Sequence, residues 1–237
     1  MIIDGQVVHS GDHVEAFGVL SAVGDAWFLG LSVDAASARP DGSVPMSVRL
    51  RPKVGQTLAD QTAVRIAGRW RDGTVVDAVL APLPASEAPP ARATASAEPP
   101  SGPQADLTPV LLDLVQGGVV VSWWVDSGSG VLWVTGSAER QVRLRLAAVF
   151  SGVIRFTPSR WSSPAVSSAR RAILALPDEL LLSFEEEHTS DHQLRLTVMV
   201  SVVTPEVAAV LRDVDPALVE VRPLIRRVDV GGSDLPH

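Results

Sequence analysis

Phe28 offers a flat aromatic ring, and Arg49, Arg51, Arg65, Arg69 and Arg71 offer guanidinium groups. Together these residue types can stack on an unpaired base and neutralise the phosphates beside it. Alternation along strands decides which of them share a face. Val64, Ile66, Gly68 and Trp70 fall on one side of their strand, with Arg65, Ala67, Arg69 and Arg71 on the other. Met46, Val48 and Leu50 point inward by the same rule, leaving Arg49 and Arg51 outside. Trp27, Leu29 and Leu31 form an inner row, so Phe28 faces out while Trp70 belongs to the core. Six basic residues and one acid, Asp60, lie between Arg49 and Arg71, whereas residues 1–83 hold seven basic and nine acidic side chains. Positive charge is therefore segregated within this part of the chain. A solvated outer face, or one that docks against the acidic second half, would have the same composition.

A second group of chemically capable residues is Glu185-Glu186-Glu187-His188 with Asp191-His192, the types found in metal sites and acid/base pairs. It falls at the tip of an expected hairpin, where consecutive side chains point to opposite faces and Gln193 and Arg195 can pair with the acids across the strands. That placement predicts no metal site. His9, His13 and His237 fit no ligand spacing. Trp123-Trp124 and Trp133 mark another hairpin, in which one of the paired tryptophans must leave the main core face. It would enter a domain or subunit interface, or a small second core beneath the helix after Ser163. Catalytic and phosphate-binding signatures, from G-x-S-x-G to the Walker loop and H-E-x-x-H, are missing from the sequence. Gly128-Ser129-Gly130 fits a turn. The expectation is a protein without enzymatic activity, cofactor or metal.

The elements that must position these residues read mostly as strands. Val14–Val23 and Trp27–Val33 flank Gly24-Asp25, Val44–Arg51 follows a Pro-Asp-Gly turn, and Val64–Arg71 meets Thr74–Leu80 across Asp72-Gly73, a strong hairpin signal. Gly55 to Asp60 leaves room for one helical turn. Val14, Gly18-Val19-Leu20 and Trp27-Phe28-Leu29-x-Leu31, with Val64 to Trp70 and Arg71 to Ala78, resemble the first two and last two strands of OB-fold modules. The resemblance covers about a third of the chain. It implies a five-stranded barrel that binds ligands on the face of its second and third strands, here Phe28, Arg49 and Arg51.

Residues 84–107 are rich in Pro, Ala, Ser, Glu and Gly and have little to bury, so they read as a linker between an OB-like barrel at 1–83 and a second domain at 108–237. In the second domain the expected strands are Val119–Val125, Val131–Gly136, Val142–Val149, Val153–Phe156, Leu180–Glu187, Gln193–Val203 and Leu218–Val230. Ser163-Pro164 and Thr204-Pro205 predict helices over Pro164–Leu176 and Pro205–Val214. The expected fold is thus β-rich: a five-stranded OB-like β-barrel plus an α+β domain with an antiparallel sheet and two helices.

The chain's 237 residues, 46% of them hydrophobic, suffice for two packed cores. Zero cysteines exclude disulfides, thiolate metal sites and cysteine nucleophiles. The start of the sequence lacks a secretory pattern, which predicts a cytoplasmic protein with no membrane partner. A net charge of −7 argues against coating nucleic acid by bulk charge, so any such site must be a local patch. Two partner classes follow: single-stranded DNA or RNA on the Phe28 and arginine face, or other proteins in an adaptor role, with the second domain recruiting a partner or forming a homodimer.

Overall fold

A computed structural model describes residues 6–30, 47–56, 60, 62–83, 107–126 and 128–228. Its first part is organised by two turns that need left-handed backbone. Gly24 has φ +57° between strands β1 (His13–Val23) and β2 (Ala26–Gly30). Asp72 and Gly73 have φ 46° and 77° between β4 (Ala63–Arg71) and β5 (Thr74–Pro82), the paired positive values that an Asp-Gly turn supplies at low cost. With β3 (Ser47–Pro52), these strands close into a ring. β1 pairs with β2, β2 with β3, β3 in parallel with β5, β5 with β4, and β4 with β1. Closure removes free sheet edges. Leu20, Leu29, Val48, Leu50, Val64, Ile66, Trp70, Val75 and Ala78 fill the interior. Two glycines permit the close strand approach. A Cβ on Gly18 would lie 2.4 Å from the Gly30 carbonyl oxygen, and one on Gly68 would lie 2.8 Å from that of Val76.

The ring does not stand alone. The first half of β1 also pairs with β11 (Val219–Arg227), matching Val14 with Arg227 and Ala16 with Ile225. β11 runs parallel to β10 (Leu194–Val202), which pairs with β9 (Leu181–His188). One eight-stranded sheet results, in the order β2-β3-β5-β4-β1-β11-β10-β9. Leu182, Val202, Leu224 and Ile225 join the same hydrophobic cluster as the ring interior.

A separate three-stranded sheet contains β6 (Val120–Asp126), β7 (Val131–Gly136) and β8 (Ile154–Pro158). Helices α1 (Leu107–Gln116) and α2 (Glu139–Leu146) cover one face, packing Leu111, Leu114, Val142 and Leu146 on Leu132 and Val134. Helix α3 (Ser163–Leu174) places Val166, Ala169 and Ile173 over Leu196, Val198 and Val200, and α4 (Pro205–Val210) adds Val207. The Ser162 hydroxyl caps α3 by accepting from the Ala165 N–H at 3.3 Å, one residue earlier than expected, and Thr204 caps α4 in the same way on Val207.

The protein is β-rich, as the sequence predicts, but four details differ. Val142–Val149, expected as a strand, overlaps α2, which takes up Val142–Leu146. Its alternating apolar residues also satisfy an i, i+4 spacing that buries Val142 and Leu146 and leaves Leu144 69% exposed, while Glu139 and Arg143 pair one turn apart at 2.8 Å. Helix α1 was not anticipated, and the described residues hold four helices instead of two. The sheet of the second part is mixed instead of antiparallel, because β10 and β11 are parallel, as are β7 and β8 in the smaller sheet. Leu107, placed in the linker by composition, opens α1 and is buried. Residues 31–33, 44–46, 57–59, 84–106, 229 and 230, which complete several expected elements, lie outside the described residues.

Candidate nucleic-acid interface

Strand alternation and register together assemble the outer surface of the ring. Phe28 on β2 is half-buried and stands opposite Arg49 on β3, while Leu29 beside it is fully buried. Arg49 matches Thr74 on β5, and Thr74 matches Arg71 on β4. Phe28, Arg49, Thr74 and Arg71 therefore form one row across four neighbouring strands. Arg51, two residues beyond Arg49, and Arg71 both border a hollow of about 440 Å³ shared with Thr74, Asp72 and Asp77. Asp77 occupies the left-handed region at φ 51°, beside the interruption in the β4–β5 register between Ala67 and Arg69. A bulge of this kind turns the strand and re-aims its side chains. Arg49, Arg51, Arg69 and Arg71 are exposed and form no ion pair with another described residue.

Arg65 and Arg69 extend away from this row toward β1. Arg69 lies between Val76 and His13 in register, so it flanks the hollow. Arg65 instead donates to Glu15 at 2.7 Å and sits 5.5 Å above the ring of Phe17. Its charge already has a carboxylate and an aromatic face to interact with. Trp70 is 6% exposed and lies inside the ring. Phe17, 41% exposed, is an outward aromatic that sequence reasoning passed over, although it alternates with Ala16 and Gly18.

The acidic and histidine cluster occupies the tip between β9 and β10. Three of its four acids pair with arginines. Glu186 accepts two hydrogen bonds from Arg170 at 2.8 and 3.0 Å, Glu187 lies 3.5 Å from Arg222, and Asp191 pairs with Arg160 at 2.6 Å. The cross-strand partner of Glu187 is Arg195, yet Arg195 bonds Glu220 on β11 at 3.2 Å. Gln193, expected to pair with the acids, is 6% exposed and bridges to the Pro158 carbonyl and the Arg160 N–H. The described residues contain no group of three or more His, Asp or Glu side chains able to hold a metal ion.

The two histidines of this tip meet the tryptophans. Trp124 and Trp133 are cross-strand neighbours with nearly parallel planes and centroids 5.6 Å apart. His188 lies 3.8 Å from the Trp124 centroid and His192 lies 3.9 Å from that of Trp133. Trp123 takes the opposite face of β6 and packs with α1 and α2. The Trp-Trp pair and the histidine cluster, read separately from sequence, thus form a single contact between the two sheets. Among the described residues, no helix is long and apolar enough to cross a membrane. No family model and no curated protein matches this chain.

Proposed function

We propose that the β1–β5 ring is an OB-type module whose outer surface on β2, β3 and β5 holds single-stranded nucleic acid, in an accessory protein without catalytic activity. The row Phe28, Arg49, Thr74 and Arg71 carries this reading. It sets one aromatic ring at the end of a line of unpaired cations, and three inter-strand gaps of about 4.8 Å separate Phe28 from Arg71. A base stacked on Phe28 would lead its backbone toward Arg49, and Arg51 and Arg71 at the mouth of the hollow would take the following phosphates. The closed ring of five strands supports the OB assignment, a five-stranded barrel that binds ligands on the face of its second and third strands, here β2 and β3. Charge segregation supports the site despite the acidic total.

Anisotropy titrations of the full chain with labelled dT and rU oligomers at two salt concentrations test the proposal. Phe28→Ala should weaken binding by about 1 to 3 kcal/mol, the range for losing one stacked base. Arg49→Ala and Arg51→Ala should each flatten the salt dependence by about 0.7 in slope. Absence of binding at low salt, or full binding by Phe28→Ala, refutes the site. A second reading, an adaptor that docks other proteins or a second copy, is favoured by Phe17 and Val79, 41% and 45% exposed on the β1 and β5 side of the ring.

A further inference from the structure

The contact between the β9–β10 tip and the three-stranded sheet is built around an imidazole. His188 is half-buried, lies over Trp124, and its Nε2 is 3.2 Å from the Ser122 hydroxyl. His192 covers Trp133, and its backbone carbonyl accepts from the Thr135 hydroxyl at 3.0 Å. β6 and β7 thus supply two indoles and two hydroxyls against which both histidines rest. We propose that this contact is an acid-released latch: protonation of His188 lifts the end of β9 away from Ser122 and Trp124.

The charges around His188 come from every element packed there. β9 supplies Glu186 and Glu187, the turn supplies Asp191 and His192, and β10 supplies Arg195. Arg170 of α3 and Arg222 of β11 hold the β9 acids, and Arg160, just beyond β8, holds Asp191. On the smaller sheet Arg155 lies 5.5 Å from the Trp133 ring, and the Asp126 carboxylate accepts from Gly128 and Ser129 in its own turn. Glu186, Glu187 and Asp191 are each shared with an arginine, which weakens their pull on an imidazolium. Burial is the largest influence and pulls His188 below the ordinary value of 6.5; Glu186 acts against it and His192 acts with it. An imidazole released into water therefore takes a proton more readily than the latched one. Acid favours the open form, with the effect beginning near pH 6.5 and growing as pH falls toward the lower latched value.

Hydrogen exchange of the full chain at pH 7.5 and 5.5, corrected for intrinsic rates, tests this. Peptides covering residues 186–190 and 121–125 should lose protection, by up to about tenfold per pH unit below 6.5, while β4 in the ring holds. His188→Gln, which retains an amide for Ser122, should abolish the pH dependence whatever its baseline protection. In the wild-type protein, an NMR titration of the His188 ring should show a midpoint below 6.5 that coincides with a change in tryptophan fluorescence. Equal protection at both pH values, a response that persists in His188→Gln, or tighter protection in acid from imidazolium–indole attraction overturns the latch.

Discussion

Ile225→Ala asks whether the ring and the strands that follow it unfold together. Ile225 is fully buried on β11, opposite Ala16 of β1 on one side and Val202 of β10 on the other. It packs in the cluster that contains Leu20, Ile66 and Trp70 of the ring as well as Leu182 and Leu224. Truncation removes three carbons, about 2.4 kcal/mol at roughly 0.8 per buried carbon. The residual cavity raises the expected loss to about 2 to 5 kcal/mol. Because each 1.4 kcal/mol is about tenfold in an equilibrium constant, global opening should become at least about thirtyfold more frequent. Native-state hydrogen exchange on the full chain reads this directly. The slowest amides of β4, far from Ile225 in sequence, should lose as much protection as those of β10 and β11. Loss confined to β10 and β11 would refute the reasoning, since it would show that the shared cluster does not couple the two parts.

Two further perturbations probe the ring itself. Gly18→Ala forces a methyl against the Gly30 carbonyl oxygen, a backbone atom held by the β1–β2 ladder, and should destabilise the protein by about 1 to 3 kcal/mol in urea unfolding. An unchanged midpoint would mean that β2 is free to move away. Trp70→Ala should cost about 3 to 5 kcal/mol of stability yet leave oligonucleotide affinity per folded molecule unaltered, since its side chain faces inward. Affinity falling in parallel with the Phe28 variant would place Trp70 on the ligand side.

The ring was the most legible part of the chain, because β3 and most of β4 alternate and its turns carry Gly24-Asp25 and Asp72-Gly73. Alternation separated Arg49, Arg51 and Arg71, which are exposed, from buried Val48, Leu50 and Trp70, and set half-buried Phe28 beside buried Leu29. It could not show that Arg65 is drawn to Glu15 and Phe17, because that depends on the β1–β4 register over fifty residues of separation. The outward-facing arginines looked equivalent in sequence, and the cross-strand neighbour separates them. The second part was less legible for a physical reason. In Val142-Arg-Leu-Arg-Leu146, periods of 2 and 3.6 coincide over five residues, and the decision lay with Glu139 one turn before Arg143 and with the core that α1 completes. The pairing of β11 with β1 left no local signature, since one strand face of Val, Leu and Ile suits many neighbours.

Trp123-Trp124 shows how a local alternation becomes a junction between layers. A strand covered on both faces needs apolar side chains at consecutive positions, so Trp123 joins the helices while Trp124 meets His188. The same tip is held a few residues further on by bonds that do not titrate. Gln193 donates to the Pro158 carbonyl and accepts from the Arg160 N–H, and the Trp161 indole donates to the Leu194 carbonyl at 3.1 Å. Gln193 is buried, and losing either of its bonds would strand a polar group away from water. Opening in acid should accordingly stop short of Gln193, with β9 moving at His188 and the Gln193–Leu194 end serving as the fixed point. Peptides spanning residues 193–195 should keep their protection at pH 5.5 while those at 186–190 lose it. Simultaneous loss in both would mean that the whole hairpin detaches and that the Gln193 bonds follow the histidine instead of restraining it.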